Sequence, residues 1–479
     1  GSPSAQVVPD LAASLPSPTG GGRTYTFQLR RGIRYSNGTP VRPEDFRRAL
    51  ERDLKLGPNP LTGDYFANVI GGRACVANPS HCDLSRGVVV DDQANTITFH
   101  LVVPNPEFLD RLTLADAGAV PAGTPTHDIG PHPIPATGPY QIAHITPAQT
   151  TLVRNPYFHE WSRAARPDGY PDKILLRTAK SASAEVTAVE RGSADVALDP
   201  PPADRLGELQ TRFASQLHVL GALYEDSLIL NTRVAPFNDI RVRRALNYAV
   251  DRAEIGRLVG PGAEPTCQTL TPWFTGYDRY CPYTLNPSPS GAWRAPELAT
   301  ARQLITASHT RGTPVTIWVS YGASTAVGRY LVKLLEELGY PTRLRDVSTD
   351  PTGYAQIADS RTKAQAFVFR DYAPYPSASQ LIDIYFGCQY FIPNSPLNGN
   401  IAEFCDPKLD AKIRRALEGE SNDSPDVGRL WAEADRTVTD DAPLVPLVVP
   451  SYIIFVSKRV GNYQASAAQG ALQDQLWIR

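Results

Sequence analysis

Positions 370–372 hold the three residues whose chemistry a ligand could use most directly. Arg370, Asp371 and Tyr372 follow an apolar stretch at 366–369 whose pattern predicts a buried strand. Open α/β sheets bind ligands beyond the carboxyl ends of their strands, which is where Asp371 would lie. A half-buried carboxylate stays charged only when a cation or several donors face it. We therefore predict that Asp371 binds a cationic ligand group; the alternative is an internal Arg370–Asp371 pair that serves only the fold.

Four other aromatic residues could line a ligand cleft, since such clefts are mostly apolar with a few converging polar groups. Tyr224 precedes a predicted strand, and Tyr452 lies where the chain returns from its distal part. Trp318 and Tyr321 flank the end of another predicted strand. The apolar core is the more common place for such side chains, so ligand contact is one of two interpretations for each.

Catalytic and metal-binding motifs are absent from the sequence. It contains no HExxH, no GxSxG, no phosphate-binding loop and no dinucleotide-binding glycine pattern, and its 8 histidines are scattered. Paired acids such as Glu336 and Glu337 fall on predicted helix surfaces, where water solvates them. We predict no catalytic residue, no metal site and no cofactor, and hence a protein that is not an enzyme.

Length and charge restrict the class of protein. A chain of 479 residues exceeds what one hydrophobic core usually holds, so two or three lobes are expected. Lysine and arginine number 47 against 49 acidic residues, and this balance argues against nucleic acid as a partner. No apolar run approaches the roughly 18 residues that a membrane helix needs.

The cysteines lie in sequence-local pairs, namely Cys75 with Cys82, Cys267 with Cys281, and Cys388 with Cys405. Other pairings are possible, but proximity favours this one. The spacings are not those of zinc-binding CxxC motifs. We predict three short-loop disulfides formed in an oxidising compartment, the alternative being six buried free thiols in a cytosolic protein.

Hydrophobic patterns place these residues on an α/β framework. A strand at 227–232 and a turn precede a helix at 239–252, whose arginines mostly occupy the side opposite its apolar face. A strand at 314–320 leads into a helix that Gly339 closes. Late strands are predicted at 444–449 and 452–456. Strand–helix units of this kind predict an α/β fold whose distal lobe has a largely parallel sheet.

Several short motifs resemble those of a known family. The turn Pro236-Phe-Asn-Asp, followed by Arg-x-Arg-x-Ala-Leu-Asn from Arg241, closely resembles the signature of the family 5 extracellular solute-binding proteins. Similar motifs occur in the family's order along almost the whole chain, at Tyr25-Thr-Phe, Gly138-Pro-Tyr, Arg154-Asn-Pro, Asp371-Tyr and Ala442-Pro-Leu-Val-Pro. Matches at this many separate positions are more specific than any one of them.

The resemblance implies a periplasmic-binding-protein type II-like α/β fold, with two main lobes, a smaller peripheral domain and an interlobe ligand cleft. The implied domains are residues 1–135 for the peripheral domain, 136–220 plus 456–479 for the first main lobe, and 221–455 for the second. The cleft would close on its ligand by hinge motion near Gly221 and Phe455. Family members carry a strand segment before the Tyr25 motif, so we expect a truncated N-terminus.

The resemblance also implies a function: an actinobacterial-like receptor of an ABC importer, which captures an oligopeptide or other small solute and delivers it to a membrane permease. In the family's Ala-Asp-Tyr loop the aspartate binds the terminal ammonium of a peptide, and Asp371 matches it. Arg370 departs from the small residue that is usual before this aspartate. We expect a monomer outside the cytoplasm, at the cell surface or in the periplasm, anchored by an N-terminal lipid whose signal has been removed.

Three other functions are compatible with the sequence. A sugar or nickel-complex receptor would use the same fold, although a nickel chelate would need better-placed histidines or carboxylates. A ligand-sensing module of a larger regulator would have the same sequence pattern. A degenerate member with a filled cleft could act as a cell-envelope interaction protein, and Arg370 is the residue that favours this alternative.

Overall fold

A computed structural model describes residues 6–56, 65–127, 129–320, 324–370, 372–466 and 470–479 of the chain. These residues fall into two compact units. The continuous unit is Val219–Tyr452, and the split unit combines the residues up to His218 with Ile453–Arg479. The chain therefore crosses between the units twice, after His218 and after Tyr452. The three domains expected from the sequence stay a prediction.

The first segment of the split unit contains small antiparallel sheets and short helices. In chain order its elements are β1 (Thr24–Gln28), α1 (Pro43–Leu56), α2 (Gly72–Ala77), β2 (Val88–Asp91), β3 (Thr96–His100), α3 (Phe108–Arg111), β4 (Tyr140–Thr146), β5 (Gln149–Arg154), β6 (Lys173–Arg177), α4 (Ala182–Glu190), β7 (Val196–Ala197), α5 (Ala203–Arg212) and β8 (Leu217–Gly221). The sheet orders are β1–β3–β2 and β4–β5–β6, and β8 carries the first crossing.

Buried and more exposed side chains alternate along the paired strands β1 and β3. Tyr25 and Phe27 of β1 are buried, and they lie opposite Phe99 and Ile97 of β3, which are buried as well. The intervening residues face outward, because successive side chains of a strand point to opposite faces. One face of this small sheet is therefore apolar and the other is polar.

The continuous unit is an α/β structure. Its elements in chain order are β9 (Asp226–Leu230), α6 (Ile240–Ala249), α7 (Arg252–Val259), β10 (Glu264–Pro265), α8 (Leu298–Ser308), β11 (Val315–Val319), α9 (Ser324–Glu337), β12 (Thr342–Asp346), α10 (Gly353–Ala358), β13 (Ala366–Arg370), α11 (Ser379–Phe386), α12 (Pro407–Ser421), α13 (Val427–Asp441) and β14 (Leu444–Val449). The chain then continues in β15 (Ser451–Val456), β16 (Val460–Gly461), β17 (Ala465–Ser466), β18 (Gly470–Ala471) and β19 (Trp477–Ile478), with the second crossing inside β15.

The sheet of the continuous unit has the order β10–β14–β9–β13–β11–β12. Strands β12, β11 and β13 run parallel to one another, and β9 pairs antiparallel with both β13 and β14. The sheet expected to be largely parallel is therefore mixed. Strand β9 follows the first crossing and β14 precedes the second, so antiparallel neighbours bring both crossings to the same edge of the sheet.

Side chains on the two faces of this sheet form separate apolar cores. Leu228 and Leu230 of β9 lie in one core, and Ile229 between them lies in the other. The same alternation holds in β13, where Val368 joins the first core and Phe367 the second. Helices α6–α9 cover the first face, and α11–α13 cover the second. Burial on both faces explains why these strands are almost continuously hydrophobic.

The helix predicted at 239–252 is two helices, α6 and α7. The Asp239 side chain caps α6 by accepting a hydrogen bond from the Arg241 amide (2.8 Å). Asp251 caps α7 in the same way. Arg241 remains at the surface, whereas Arg243 and Arg252 are buried. Their guanidinium groups donate to main-chain carbonyls of neighbouring elements, which is what brings these two residues inside.

All three predicted disulfides are confirmed. Cys75–Cys82 lies in the split unit, and Cys267–Cys281 and Cys388–Cys405 close two loops of the continuous unit. Of the helices in the described part of the chain, none has the combined length and apolar character required to cross a bilayer.

Arg252 connects three parts of the continuous unit from inside. Its Nε atom donates to the carbonyl oxygens of Thr266 (2.7 Å) and Pro446 (2.8 Å), and its Nη1 atom donates to that of Asn247 (3.0 Å). Burial lowers the pKa of the Arg252 guanidinium to about 10, and the charge of Glu225 opposes this shift. The guanidinium is thus a buried cation with a buried anion nearby.

Replacing Arg252 with Met should lower the free energy of unfolding by about 3–5 kcal/mol, because the buried Glu225 would lose its compensating cation. Urea denaturation followed by tryptophan fluorescence measures this loss. Arg257→Met on the same helix is the matched control; the Arg257 side chain is 72% exposed. The control should change stability by less than about 0.5 kcal/mol. Equal effects of the two variants would contradict the buried-charge explanation.

Asp435 holds the loop that the Cys267–Cys281 disulfide closes. Its carboxylate accepts hydrogen bonds from Gln268 Nε2 (2.8 Å), the Thr269 amide (3.0 Å) and the Leu270 amide (3.4 Å). Burial raises the pKa of the Asp435 carboxyl from 3.8 to about 7, and these donors oppose the shift. The folded protein therefore binds this proton more tightly than the unfolded chain does.

Stability should consequently rise as the pH falls from about 7 to about 5, by up to about 1.4 kcal/mol per pH unit for this group. An Asp435→Asn variant has no such proton to bind. The difference in free energy of unfolding between wild type and variant, measured in urea at both pH values, should shift in favour of the wild type at the lower pH. A difference independent of pH would show that Asp435 does not titrate in this range.

Candidate functional site

The candidate site lies at the edge of the continuous unit's sheet where β13 and β14 end and β9 begins. The strand register places Asp226 between Arg370 of β13 and Val448 of β14. Strand β11 ends at the same edge, because it runs parallel to β13. Ligands of open α/β sheets bind at the carboxyl ends of parallel strands. Both crossings to the split unit also leave from this edge.

A bidentate ion pair joins the two central strands at this edge. Arg370 Nε donates to Asp226 Oδ1 (2.7 Å), and Arg370 Nη2 donates to Asp226 Oδ2 (3.0 Å). The Asp226 side chain is only 2% exposed, whereas that of Arg370 is 33% exposed. Two parallel hydrogen bonds of this kind fix the plane of the guanidinium. Sequence reasoning considered Asp371 as the internal partner of Arg370 and missed Asp226.

Two of the predicted tyrosines adjoin this pair. The Arg370 guanidinium lies over the Tyr224 ring, 4.7 Å from its centroid. Tyr224 contacts Tyr452 edge to face, with 5.6 Å between ring centroids. Burial raises the pKa of the Tyr224 hydroxyl, Arg370 lowers it, and a hydrogen bond with Tyr452 raises it. The structure therefore brings Arg370, Tyr224 and Tyr452 together, and the Tyr224 hydroxyl stays protonated near neutral pH.

Trp273 is a further aromatic residue, near the first crossing, and sequence reasoning missed it. Gly221 ends β8 beside it: a Cβ atom added at Gly221 would lie 2.7 Å from Trp273 Nε1. Only a glycine allows the indole to approach the backbone so closely. Trp273 lies within the disulfide-closed loop that begins at Cys267, and it is only partly buried. A tryptophan in a polar, cysteine-bounded loop was the available signal.

Glu225, which immediately precedes Asp226, is completely buried. Its charge acts on the equally buried Arg252. Of two consecutive buried carboxylates, Asp226 pairs with the Arg370 guanidinium, and the charge of Glu225 acts on that of Arg252. The adjacent acids before an apolar strand are visible in the sequence, although their partners are distant along the chain.

The remaining predicted residues are distributed differently. Trp318 is buried in the core of the sheet with the Arg345 guanidinium 4.0 Å from its ring centroid. Tyr372 is 53% exposed, and its carbonyl oxygen accepts a hydrogen bond from the Tyr385 hydroxyl (3.4 Å). Asp371 and Tyr321 lie outside the described residues. Their roles, like those of the other predicted site residues, stay predictions.

The chemistry of this edge suits binding. Aromatic rings and hydroxyl groups lie around a guanidinium whose charge a buried carboxylate already balances. Such a surface offers ring contacts and hydrogen bonds to a ligand that is partly polar and partly apolar. Over the described ranges, no group of three or more histidine, cysteine, aspartate or glutamate residues is placed to hold a metal ion.

The sequence matches a family model described as bacterial extracellular solute-binding proteins, family 5 middle, over residues 6–391. One relative, the glutathione-binding protein GsiB of Salmonella choleraesuis, is 25% identical over 451 residues, or 92% of this chain and 80% of the relative. GsiB of Escherichia coli O157:H7 is 23% identical over 450 residues, with the same shares.

Solved structures share the fold. Clavulanic acid biosynthesis oligopeptide binding protein 2 aligns with a TM-score of 0.84 at 23% identity, covering 98% of this chain and 86% of its own. Haemophilus influenzae OppA, solved with the peptide RPPGFSPFR, aligns with a TM-score of 0.73 at 20% identity, covering 99% and 91%. The predicted periplasmic-binding-protein type II-like α/β fold is therefore confirmed.

Replacing Arg370 with Met should lower the free energy of unfolding by about 3 kcal/mol, because Asp226 would lose its bidentate partner inside the protein. The Asp226→Asn, Arg370→Met double variant should recover most of this loss, since the carboxylate that Arg370 balances is then removed as well. Arg345→Met is the matched control, because Arg345 also lies over an aromatic ring but is exposed. It should cost about 1 kcal/mol or less. A double variant less stable than Arg370→Met would contradict the pairing argument.

Proposed function

Because the chain belongs to the bacterial extracellular solute-binding proteins of family 5, we propose that it captures a short peptide or peptide-like solute and delivers it to the permease of an ABC importer. Capture involves no chemical step. The protein acts as a monomer, with hinge motion at the two crossings closing the ligand in. The family match over residues 6–391 is the observation that carries this proposal.

Two lines of comparison support a peptide as the ligand class. The relatives from Salmonella and Escherichia coli are glutathione-binding proteins by name. The similar structures include OppA with RPPGFSPFR and Helicobacter pylori DppA with the peptide STSA, the latter at a TM-score of 0.76. Glutathione and short peptides share an ammonium, a carboxylate and amide groups, and these are the groups that the proposed site would recognise.

At the candidate edge, we assign Asp371 to the ligand's ammonium and the aromatic residues to its main chain and side chains. Asp226 already balances the charge of Arg370. The departure of Arg370 from the family's usual small residue therefore does not require Asp371 as its partner. Tyr224, Tyr452 and Trp273 supply aromatic surface near the strand ends.

We further propose that the protein works in the periplasm or on the outer face of the cell. The three disulfides support this compartment, since such bonds persist in oxidising surroundings. The lipid anchor expected from the resemblance stays a prediction.

The test begins with native mass spectrometry of protein purified under mild conditions, followed by extraction of bound molecules in denaturant. Short peptides should be recovered, and calorimetry with the recovered sequence and with glutathione then gives affinities. Asp371→Asn should weaken peptide binding by about 1.5–3 kcal/mol, the size of a hydrogen bond to a charged group. N-acetylation of the peptide should weaken binding to the wild type by a similar amount.

Glu336→Gln is the matched control, because it removes one carboxylate from an exposed helix surface of the same unit. It should leave affinity unchanged. Recovery of no ligand, together with no thermal shift from a peptide library, would contradict capture and favour the filled-cleft alternative. Peptide binding that Asp371→Asn leaves unchanged would keep the function but reject the assigned residue.

A further inference from the structure

A cavity lies at the edge of the continuous unit's sheet opposite the candidate site, where β9 ends at Leu230 and β13 begins at Ala366. Its volume is about 490 Å³, which is within the range of small-molecule sites. The residues that line it include Arg233, Lys363, Phe391, Pro393 and Glu403, with Ser360 beside them. Four residue steps along β9 separate the two edges, on the order of 13 Å. This cavity is therefore distinct from the candidate peptide site.

The backbone around the cavity adopts an uncommon conformation at several positions. Lys363 and Glu403 both line the cavity with positive φ values, 52° and 49°. Asn394, which follows the lining residue Pro393, has a φ of 59° and donates its amide to Ser360 Oγ (2.8 Å). Residues other than glycine adopt this left-handed conformation at a cost, and such residues cluster at binding sites.

A disulfide closes the loop that forms one wall. Cys388 and Cys405 bracket Phe391, Pro393 and Glu403. Cross-linking a loop restricts the conformations it can adopt, so fewer arrangements are open to these three residues. The wall is thus already arranged for a ligand, which reduces the entropy lost on binding.

Glu403 contributes a buried carboxylate. The residue is 8% exposed, and its Oε1 atom accepts a hydrogen bond from Asn231 Nδ2 (2.9 Å). Burial raises the pKa of the Glu403 carboxyl, while Asn231 and the charge of Arg233 lower it. A carboxylate in such surroundings gains from a cation that reaches it.

Arg233 contributes a cation whose guanidinium hydrogen-bonds to the main chain of Glu403. Its Nε atom donates to the main-chain oxygen of Glu403 (3.0 Å), and its guanidinium lies 4.2 Å from the Phe391 ring centroid. Lys363 adds a second, exposed cation to the same cavity. Opposite charges therefore line one cavity. In the described structure the Glu403 carboxylate accepts its hydrogen bond from Asn231, not from Arg233.

We propose that this cavity is a second binding site, for a small zwitterion such as a free amino acid or the ends of a very short peptide. The ligand's ammonium binds Glu403, its carboxylate binds Arg233 and Lys363, and its apolar part packs against Phe391 and Pro393. Each charge of the ligand then lies against lining groups of the opposite charge.

Leucine, leucinamide and N-acetyl-leucine are the probes, and isothermal titration calorimetry on the full chain is the measurement. Leucine carries both charges, leucinamide lacks the carboxylate, and N-acetyl-leucine lacks the ammonium. Leucine should bind, and each of the other two should bind at least about tenfold more weakly, since a hydrogen-bonded charge is removed in each case. A dipeptide of leucine distinguishes a free amino acid from peptide ends as the better ligand.

Four variants locate the binding. Arg233→Gln and Lys363→Gln should each weaken leucine binding about tenfold or more. Arg361→Gln is the matched control, because Arg361 is an exposed neighbouring cation that pairs with Asp359 and does not line the cavity. Asp371→Asn tests the candidate peptide site. The Arg361→Gln and Asp371→Asn variants should both bind leucine as the wild type does. Lys363 is exposed, so Lys363→Gln keeps the test valid even if Arg233→Gln unfolds, which circular dichroism would reveal.

Three outcomes would overturn the proposal. Leucine and its dipeptide could fail to bind at millimolar concentrations. Binding could persist in Lys363→Gln and be lost in Asp371→Asn, which would place it at the candidate peptide site. N-acetyl-leucine could bind as tightly as leucine, which would leave Glu403 without the assigned role. None of these outcomes contradicts peptide capture for the importer, so the two proposals fail separately.

Discussion

The burial of two consecutive carboxylates at the start of the central strand constrains the rest of the continuous unit. Glu225 is completely buried and Asp226 nearly so, and each has a guanidinium to balance its charge. A buried carboxylate without such a partner costs several kcal/mol. Arg252 and Arg370 can supply partners only when α7 and β13 occupy their observed places. The charge requirement thus helps specify which elements lie beside β9.

This arrangement also prepares the edge for a ligand. The bidentate pair orients Arg370, Arg370 lies on Tyr224, and Tyr224 contacts Tyr452. Each side chain in this series is held by the next, so little side-chain freedom remains to be lost when a ligand binds. The loop that carries Trp273 is restricted in the same way, because a disulfide closes it and the Asp435 carboxylate accepts hydrogen bonds from it. This loop lies beside Gly221, close to the first crossing.

Strands β9 and β13 connect this edge to the cavity at their other ends. Asp226 and Arg370 pair at one end. At the other end Asn231 and Arg233 follow β9; Asn231 donates to the Glu403 carboxylate, and Arg233 donates to the Glu403 main-chain oxygen. In each place a buried acidic residue is met by groups from a distant part of the chain. The disulfides stabilise the loops that carry Trp273 and Glu403, two residues that lie outside the helices and strands.

The sequence by itself indicated the family, the α/β class and most of the strands and helices, and it favoured the observed disulfide pairing, because motifs, periodicity and cysteine spacing are local signals. It also indicated that positions 370–372 end a buried strand. Only the tertiary structure decided that β9 runs against its neighbours, that Arg243 and Arg252 are buried, and that Asp226 is the partner of Arg370. Those facts depend on contacts between residues more than a hundred positions apart in the chain. Local sequence patterns carry no information about such contacts.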